Sequence, residues 1–326
     1  MKNSSIAESV YRVNLKYVEL QNKTKELFFK CLDENRDLKY FHEELKKIWG
    51  NLSHAFMNKE INEYEILIHE RNTQGKEIVE EEKEGDILDL VPIAVIVAVE
   101  KKFVKQKEKE YKISFNSYAY KTDKEDYLKM KVQKYTDQIV PYYSTKTNTK
   151  IRDVELSTYC SMIHNTNLTR AEWNQTFRDA DMMGQELFFI PYHSFSCPYC
   201  MQYQNKKLTR KEAIDIAGHA EEAEGEVLHP NCKCELTFYE SRKDFNKPKY
   251  SRGELEEQYQ IRQKTNSLTL KKEKIKTDIK IQSSLGNQDE VDKLNQQRNK
   301  INKEIRNLKE QLPTKQLKKQ VVAINR

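Results

Sequence analysis

Apolar residues recur every three or four positions along much of the chain, which is the pattern of amphipathic helices. Two series near the N-terminus show it: Ile6, Val10, Val13 and Tyr17, then Leu38, Phe41, Leu45 and Ile48. Gly50 and Asn51 interrupt the pattern after the second series. The sequence therefore predicts helices over residues 1–70, with a break at Gly50.

The longest apolar stretch follows an acidic segment. Residues 77–86 are acidic and end in Gly-Asp, which predicts a solvated loop or a helix end. The run Ile87–Val99 that comes next predicts a buried strand or a core helix. It is shorter than the ~20 residues of a membrane span, and it contains Asp89 and Pro92. We therefore expect no membrane segment here.

Two further elements are predicted before residue 150. Tyr111–Tyr120 is rich in aromatic residues that partly alternate, which favours a strand. The helical pattern returns at Tyr127–Ile139, and Pro141 is expected to close that helix.

The middle of the chain carries clear start and stop signals. Thr169–Glu172 and Thr209–Glu212 both read Thr-x-x-Glu, the capping box that begins a helix. The first helix is predicted to end at Met183, with Gly184 in the left-handed conformation. The second is predicted to run through Ala217, and Gly218 closes it. Hydrophobic strands are predicted at Glu186–Ile190 and Glu235–Tyr239.

The last part of the chain has a heptad seam. Apolar residues alternate by three and four at Val291, Leu294, Ile301, Ile305, Leu308 and Leu312, with Arg298 as one interruption. Ile261, Leu268 and Ile275 lie seven apart before it, and Ser283–Asn287 reads as a turn between the two series. This pattern predicts an antiparallel helical hairpin with arms at 254–282 and 288–312, ended by Pro313.

Together these patterns predict an α+β protein that is predominantly helical. A small α+β Cys/His core is followed by a C-terminal antiparallel helical (coiled-coil) hairpin. We expect a mainly helical N-terminal region with one or two strands at 1–150. The Cys/His core is expected at 151–245, and a basic hairpin with its tail at 246–326.

Composition narrows the class of protein. The 326 residues include only eight Gly and seven Pro, which excludes a collagen-like chain and disfavours a Gly-rich nucleotide-binding enzyme. The first 17 residues have no apolar core of the kind a signal peptide has, so we expect cytoplasmic synthesis and reduced cysteines. Residues 251–326 hold 18 Lys and Arg against 10 Asp and Glu, a net charge of +8. Such a segment could bind nucleic acid or an acidic protein surface, or it could simply be a solvated helix with excess lysine.

Four of the six cysteines lie close together in sequence, with a histidine among them. Cys197 and Cys200 form a Cys-x-x-Cys pair, and His229, Cys232 and Cys234 follow as His-Pro-Asn-Cys-Lys-Cys. Two such groups can complete the tetrahedral thiolate and imidazole set of a structural Zn²⁺.

The best predicted ligands are Cys197, Cys200 and Cys232. The fourth is His229 or Cys234, since the Cys-x-Cys spacing makes joint use of Cys232 and Cys234 less natural. His193 and His219 are in reserve. Two alternatives stay open: small buried thiols packed around two turns, and a redox dithiol.

No sequence motif indicates catalysis. A Cys197 nucleophile with His193 or His229 would supply only two of the parts that such an enzyme needs. We expect no enzyme activity. Cys160 and His164 are expected to be packing and surface residues, and Cys31, beside Phe28 and Phe29, to be core.

Several motifs in the middle and final blocks resemble tailed-phage minor capsid proteins. They are Gly184 before the strand 186–190, then His193, Cys197–Cys200 and the turn Gln204-Asn205-Lys206, where Asn205 stands in place of the usual Gly. The ending His229–Cys234 is similar to that of Mu F-like head morphogenesis proteins, and helices with Gln and Arg follow at 258–262 and 297–306. The likeness covers about 150–310.

This resemblance implies a structural minor capsid or head morphogenesis protein. Its partners would be the portal protein and other phage head proteins, with non-specific DNA contact and no membrane. Its location would be the host cytoplasm during assembly and then the virion. The alternative is a zinc-dependent nucleic-acid-binding protein.

Overall fold

The computed structural model describes residues 6–50, 53–74, 88–143, 150–191, 198–217, 232, 234–239 and 251–312. Ten helices occupy most of this part of the chain: α1 Ile6–Asp33, α2 Leu38–Trp49, α3 Ser53–Thr73, α4 Ile93–Ala119, α5 Lys124–Lys134, α6 Leu156–Met182, α7 Pro198–Met201, α8 Arg210–Asp215, α9 Arg252–Ser284 and α10 Gln288–Glu310. The described strands are β1 Gln138–Tyr143, β2 Lys150–Glu155, β3 Leu187–Phe189, β4 Leu208–Thr209 and β5 Thr237–Phe238. The predicted fold class, a predominantly helical α+β protein, is confirmed.

The strands form two small antiparallel sheets. β1 and β2 make a two-stranded ribbon, and β3 is the central strand of the order β4-β3-β5. Phe188 of β3 pairs with Leu208 on one side and Phe238 on the other. The predicted strands at Glu186–Ile190 and Glu235–Tyr239 are thus present in shortened form.

The N-terminal helices follow the apolar pattern. The predicted helical region is divided into α1, α2 and α3, and α2 ends at Trp49 with Gly50 as its cap. The Asp37 carboxylate accepts a 2.8 Å hydrogen bond from the Tyr40 amide and so begins α2. Cys31 is buried in this core, as predicted.

The strand predicted at Tyr111–Tyr120 is wrong, because this segment is the last part of α4. Tyr111, Ser114 and Tyr118 are all buried, at the spacing of one helical face. Tyr111 stacks on Phe41 with ring centroids 4.1 Å apart. The aromatic residues therefore mark a helix packed on α2 rather than a pleated strand.

The apolar run Ile87–Val99 forms a core helix, one of the two predicted outcomes, only from Ile93 onward. Pro92 caps α4, and Ile96 and Phe103 are fully buried. Among the helices that the structure describes, none has the length and apolar character to cross a bilayer.

The helix predicted at Tyr127–Ile139 is correct only in part. α5 begins earlier, where Asp123 accepts from the amide of Asp126, and it ends at Lys134. Pro141 does not close a helix but lies inside β1, opposite Asp153 of β2. A two-stranded ribbon has only edge strands, where a residue without an N–H is tolerated.

The helix start predicted at Thr169 is also wrong. α6 begins at Leu156, and the Thr169 hydroxyl donates to the Asn165 carbonyl (2.8 Å) instead of capping a new helix. The predicted end is confirmed, since Gly184 has φ +62°. The Gln185 amide donates to the Ala180 carbonyl at 2.9 Å, which completes a Schellman-type cap.

The second capping box is confirmed. Thr209 accepts from the amide of Glu212, and the Glu212 carboxylate accepts from the Thr209 amide at 2.8 Å. α8 itself is shorter than predicted, because it ends at Asp215 with Ile216 as its cap. Gly218 lies outside the described residues.

The C-terminal hairpin agrees with the heptad prediction. Val291, Leu294, Ile301, Ile305, Leu308 and Leu312 are buried. Gly286 makes the turn with φ +68°. Ion pairs join α9 to α1, between Lys25 and Asp278 (2.6 Å) and between Lys280 and Glu26 (2.7 Å).

Helix α6 lies against α1 and α3 and is buried on almost every side. At the α1 contact, the His164 Nε2 lies 3.0 Å from the Ser9 hydroxyl, which donates to Glu60 at 2.7 Å. His164 is fully buried rather than at the surface. Burial lowers the pKa of the His164 imidazole to about 4, so the ring is neutral at pH 7.

We expect acid to destabilise the fold partly through His164. Its folded-state pKa lies below the unfolded value of 6.5. The stability that it contributes is therefore present above pH 6.5 and is lost as the pH falls toward 4. Between pH 7.5 and pH 5 the loss should be about 2 kcal/mol.

Urea unfolding of the wild type and of a His164→Gln variant, each at pH 7.5 and at pH 5, measures this loss of unfolding free energy. The wild type should lose about 2 kcal/mol more than the variant. An equal loss in the two proteins would show that His164 is not the group that titrates.

Candidate metal centre

Three of the five predicted ligands meet in one buried cluster. Cys200 lies in the short helix α7, and Cys232 and Cys234 precede β5. The sulfur atoms of Cys200 and Cys232 are 3.4 Å apart, and all three sulfurs lie within 4.8 Å of one another. Each of the three residues is at most 1% exposed. Cys197 and His229, the other two predicted ligands, and the reserves His193 and His219 lie outside the described residues.

The Cys-x-Cys pair contributes both of its thiols. We expected joint use of Cys232 and Cys234 as ligands to be less natural, but the structure places both sulfurs in the cluster. In an extended chain, residues two apart project to the same side. The spacing therefore favours two ligands from one segment.

The geometry suits a tetrahedral ion. Zn–S bonds of ~2.3 Å at tetrahedral angles place two ligand sulfurs about 3.8 Å apart. The Cys200 and Cys232 sulfurs, 3.4 Å apart, are slightly closer than that, and all three sulfurs lie within 4.8 Å of one another. The three thiols could therefore hold a metal ion.

Polar side chains of α6 hold the Cys-x-Cys segment through its backbone. The donors lie about one helical turn apart, and their acceptors advance along the segment in the same order. They are Asn165 (2.5 Å) and Thr169 (3.3 Å) to the Cys232 carbonyl, Trp173 Nε1 (2.9 Å) to the Cys234 carbonyl and Thr176 (3.5 Å) to the Leu236 carbonyl. The helix thus fixes where Cys232 and Cys234 present their sulfurs.

Another face of α6 holds a second irregular segment. The Asn174 side chain accepts from the Leu88 amide (2.7 Å) and donates to the Leu88 carbonyl (2.9 Å). Asn167 makes the same pair of bonds with Val91, at 2.8 and 2.9 Å. Arg170, between them, donates to the Ala217 carbonyl at 3.2 Å. These residues were not predicted from the sequence, although a long helix with polar residues on every face is a signal of such buried contacts.

A buried carboxyl group lies beside the cluster segment. Glu172 of α6 is fully buried, and its carboxylate is 3.2 Å from Arg71 of α3. Burial, reinforced by the nearby Glu235, raises the pKa of the Glu172 carboxyl well above its usual value. Arg71 also pairs with Glu235 at 3.3 Å, so one guanidinium joins α3, α6 and the segment that carries Cys234.

Gln204 and Asn205 connect the cluster to the small sheet. The Gln204 side-chain amide donates to the Cys234 sulfur at 3.8 Å. Asn205, which stands where the phage minor capsid family has Gly, adopts the left-handed φ of +54°, and its amide donates to the Ile190 carbonyl at 2.8 Å. A donor to a thiolate orients the ligand and lowers its charge density. The sequence marked Gln204 as part of a motif, but not as a partner of a cysteine.

Comparison of the chain with models of protein families, with curated proteins and with solved structures finds no match to any of them. The likeness to phage minor capsid proteins therefore stays a prediction from the motifs.

An alanine substitution at Asn165 should loosen the cysteine segment. Asn165→Ala removes the donor to the Cys232 carbonyl, whereas Asn167→Ala removes a similar contact to Val91 on another face of α6. Each variant should lose about 1–3 kcal/mol of stability, because a buried backbone carbonyl loses a hydrogen bond. The Cys232 carbonyl would keep only the longer bond from Thr169.

Only Asn165→Ala should speed the alkylation of Cys232 and Cys234 under native conditions. Peptide mass spectrometry after iodoacetamide pulses measures this for each cysteine. Equal labelling in the two variants would mean that α6 does not position the segment locally.

Proposed function

We propose that this chain is a structural minor capsid or head morphogenesis protein of a tailed phage. It acts in the host cytoplasm during head assembly, contacts the portal protein and other head proteins, and remains in the virion. One observation supports the proposal most. The two cysteine motifs that carry the resemblance, Cys197–Cys200 and His229–Cys234, supply Cys200, Cys232 and Cys234 to a single buried cluster.

The cluster's role in this proposal is to bind a structural Zn²⁺. Cys200, Cys232 and Cys234 would be three ligands, and the fourth would come from Cys197 or His229. Thiolates favour Zn²⁺, and a buried, four-coordinate ion stabilises a fold without performing chemistry. The three ligands come from two separate segments, so the ion would cross-link α7 to the chain that enters β5.

The hairpin supports a role in assembly. α10 packs chiefly on α9, and α9 connects to α1 through ion pairs and to the aromatic core through Ile281. The outer face of α10 is exposed, and in a phage head it would be available to the packaged DNA.

The second candidate is a zinc-dependent nucleic-acid-binding protein. The observation that favours it is the set of exposed lysines and arginines on the hairpin. It would share the zinc site and differ in the partner, so the experiment on virions below separates the two.

Purified protein should contain about one zinc per chain. Cys200→Ser should abolish metal binding and lower the melting temperature, because metal binding is coupled to folding. Cys31→Ser is the matched control, since Cys31 is equally buried but outside the cluster. It should lower stability while keeping the zinc. Inductively coupled plasma mass spectrometry measures the zinc content, and thermal unfolding measures the melting temperature. If the wild type contains no zinc and Cys200→Ser melts at the same temperature as the wild type, the cysteines are packing residues only.

The protein should be found in virions and in proheads at a copy number well below that of the coat protein. It should also co-purify with the portal, because a minor head protein is built into the particle during assembly. Quantitative mass spectrometry of purified particles measures the ratio, with host proteins of similar abundance as the background control. Absence from both particles while the gene is expressed would reject the structural role and favour the nucleic-acid-binding alternative.

A further inference from the structure

Helix α10 exposes a face with an unusual set of charges. Between Gln296 and Asn307 its exposed residues are three cations, Lys300, Lys303 and Arg306, and five amides, Gln296, Gln297, Asn299, Asn302 and Asn307. We call these eight residues the cationic face. The one carboxylate in this stretch, Glu304, is half-buried and pairs with Lys264 of α9 at 2.8 Å.

The cations of this face have no counter-ion within the described part of the chain. Many other lysines of the protein do, including Lys276 with Glu273 (2.8 Å) and Lys59 with Glu63 (3.6 Å). Further positive charge lies beside the face, where Lys309 is close to Lys272. Burial and the neighbouring Lys272 ammonium lower the pKa of Lys309. The hairpin thus gathers positive charge here rather than neutralising it.

We propose that the cationic face of α10 binds the phosphate backbone of double-stranded DNA without reading its sequence. Lys and Arg would pair with phosphates, and the amides would donate hydrogen bonds to phosphate oxygens. The face is about 17 Å long at ~1.5 Å per residue. The same length of duplex carries about ten phosphate charges.

The composition of the face favours duplex DNA over other anionic partners. It contains no aromatic residue, so it offers nothing on which unpaired bases could stack. It contains no apolar residue either, whereas protein interfaces depend on a few buried aromatic or apolar anchors. A face made only of cations and amides can bind the phosphates of a duplex without contacting its bases.

The inference does not depend on the metal centre or on the presence of the protein in virions. A DNA-filled head would supply the ligand, but the surface can be tested on the isolated full-length chain. Failure here would remove the observation that favours the nucleic-acid-binding candidate, whereas the zinc and virion measurements would keep their own outcomes.

The test compares two triple variants with the same net charge. The first carries Lys300→Gln, Lys303→Gln and Arg306→Gln on the cationic face. The control carries Lys47→Gln, Lys59→Gln and Lys276→Gln, three exposed lysines that are paired with Glu44, Glu63 and Glu273. Fluorescence anisotropy with a labelled duplex of mixed sequence, from about 50 to 200 mM salt, gives the affinity and its salt dependence.

The wild type and the control variant should bind alike, and the face variant should bind at least about tenfold more weakly, with a salt slope smaller by about 2–3. Three outcomes would overturn the proposal: no binding by the wild type at the lowest salt, equal loss in both variants, or competition by single-stranded DNA or polyglutamate as strong as that by the duplex. The last would assign the face to a different partner.

Discussion

Buried polar groups must find hydrogen-bond partners inside the protein, and helix α6 carries more of them than any other described helix. Its three asparagines, Thr169, Thr176 and Trp173 bond to the backbone of two irregular segments. One segment includes Leu88 and Val91, and the other leads from Cys232 to Leu236. Each lost partner would cost about 1–3 kcal/mol. The fold therefore depends on α6 being held in a single register between α1, α3 and these segments.

The candidate metal centre follows from this constraint. Cys232 and Cys234 lie in a segment with little secondary structure of its own, and α6 determines the path of its backbone. Cys200 comes from a separate segment, the four-residue helix α7, which is followed by the turn at Gln204 and Asn205. A metal ion would add a covalent-like link where the described contacts are single hydrogen bonds. The hairpin, in contrast, is stabilised by its own apolar seam and by ion pairs to α1.

The sequence predicted best those features that depend on nearby residues. The hairpin arms, the Gly184 cap and the Thr209 capping box are set by heptad spacing and local hydrogen bonds, and the structure agrees with each. The helix start predicted at Thr169 failed because this residue lies inside a longer helix. Its hydroxyl contacts the Asn165 carbonyl one turn earlier and the distant Cys232 carbonyl. The strand prediction for Tyr111–Tyr120 failed because aromatic residues on a helix face packed against α2 resemble, over a few residues, the alternation of a strand. The spacing predicted that Cys200 and Cys232 converge, but it disfavoured Cys234 as their companion. The α6 residues that position the segment make contacts only in three dimensions.

If the cysteines held by α6 form a metal centre, the ion should be bound through their sulfur atoms. X-ray absorption spectroscopy at the zinc edge of the purified, full-length protein tests it most directly, because it counts the atoms around the ion. The zinc should have at least three sulfur neighbours at about 2.3 Å, with one further sulfur or nitrogen. A zinc shell made only of oxygen and nitrogen would contradict it, and so would protein that binds no zinc after purification under reducing conditions.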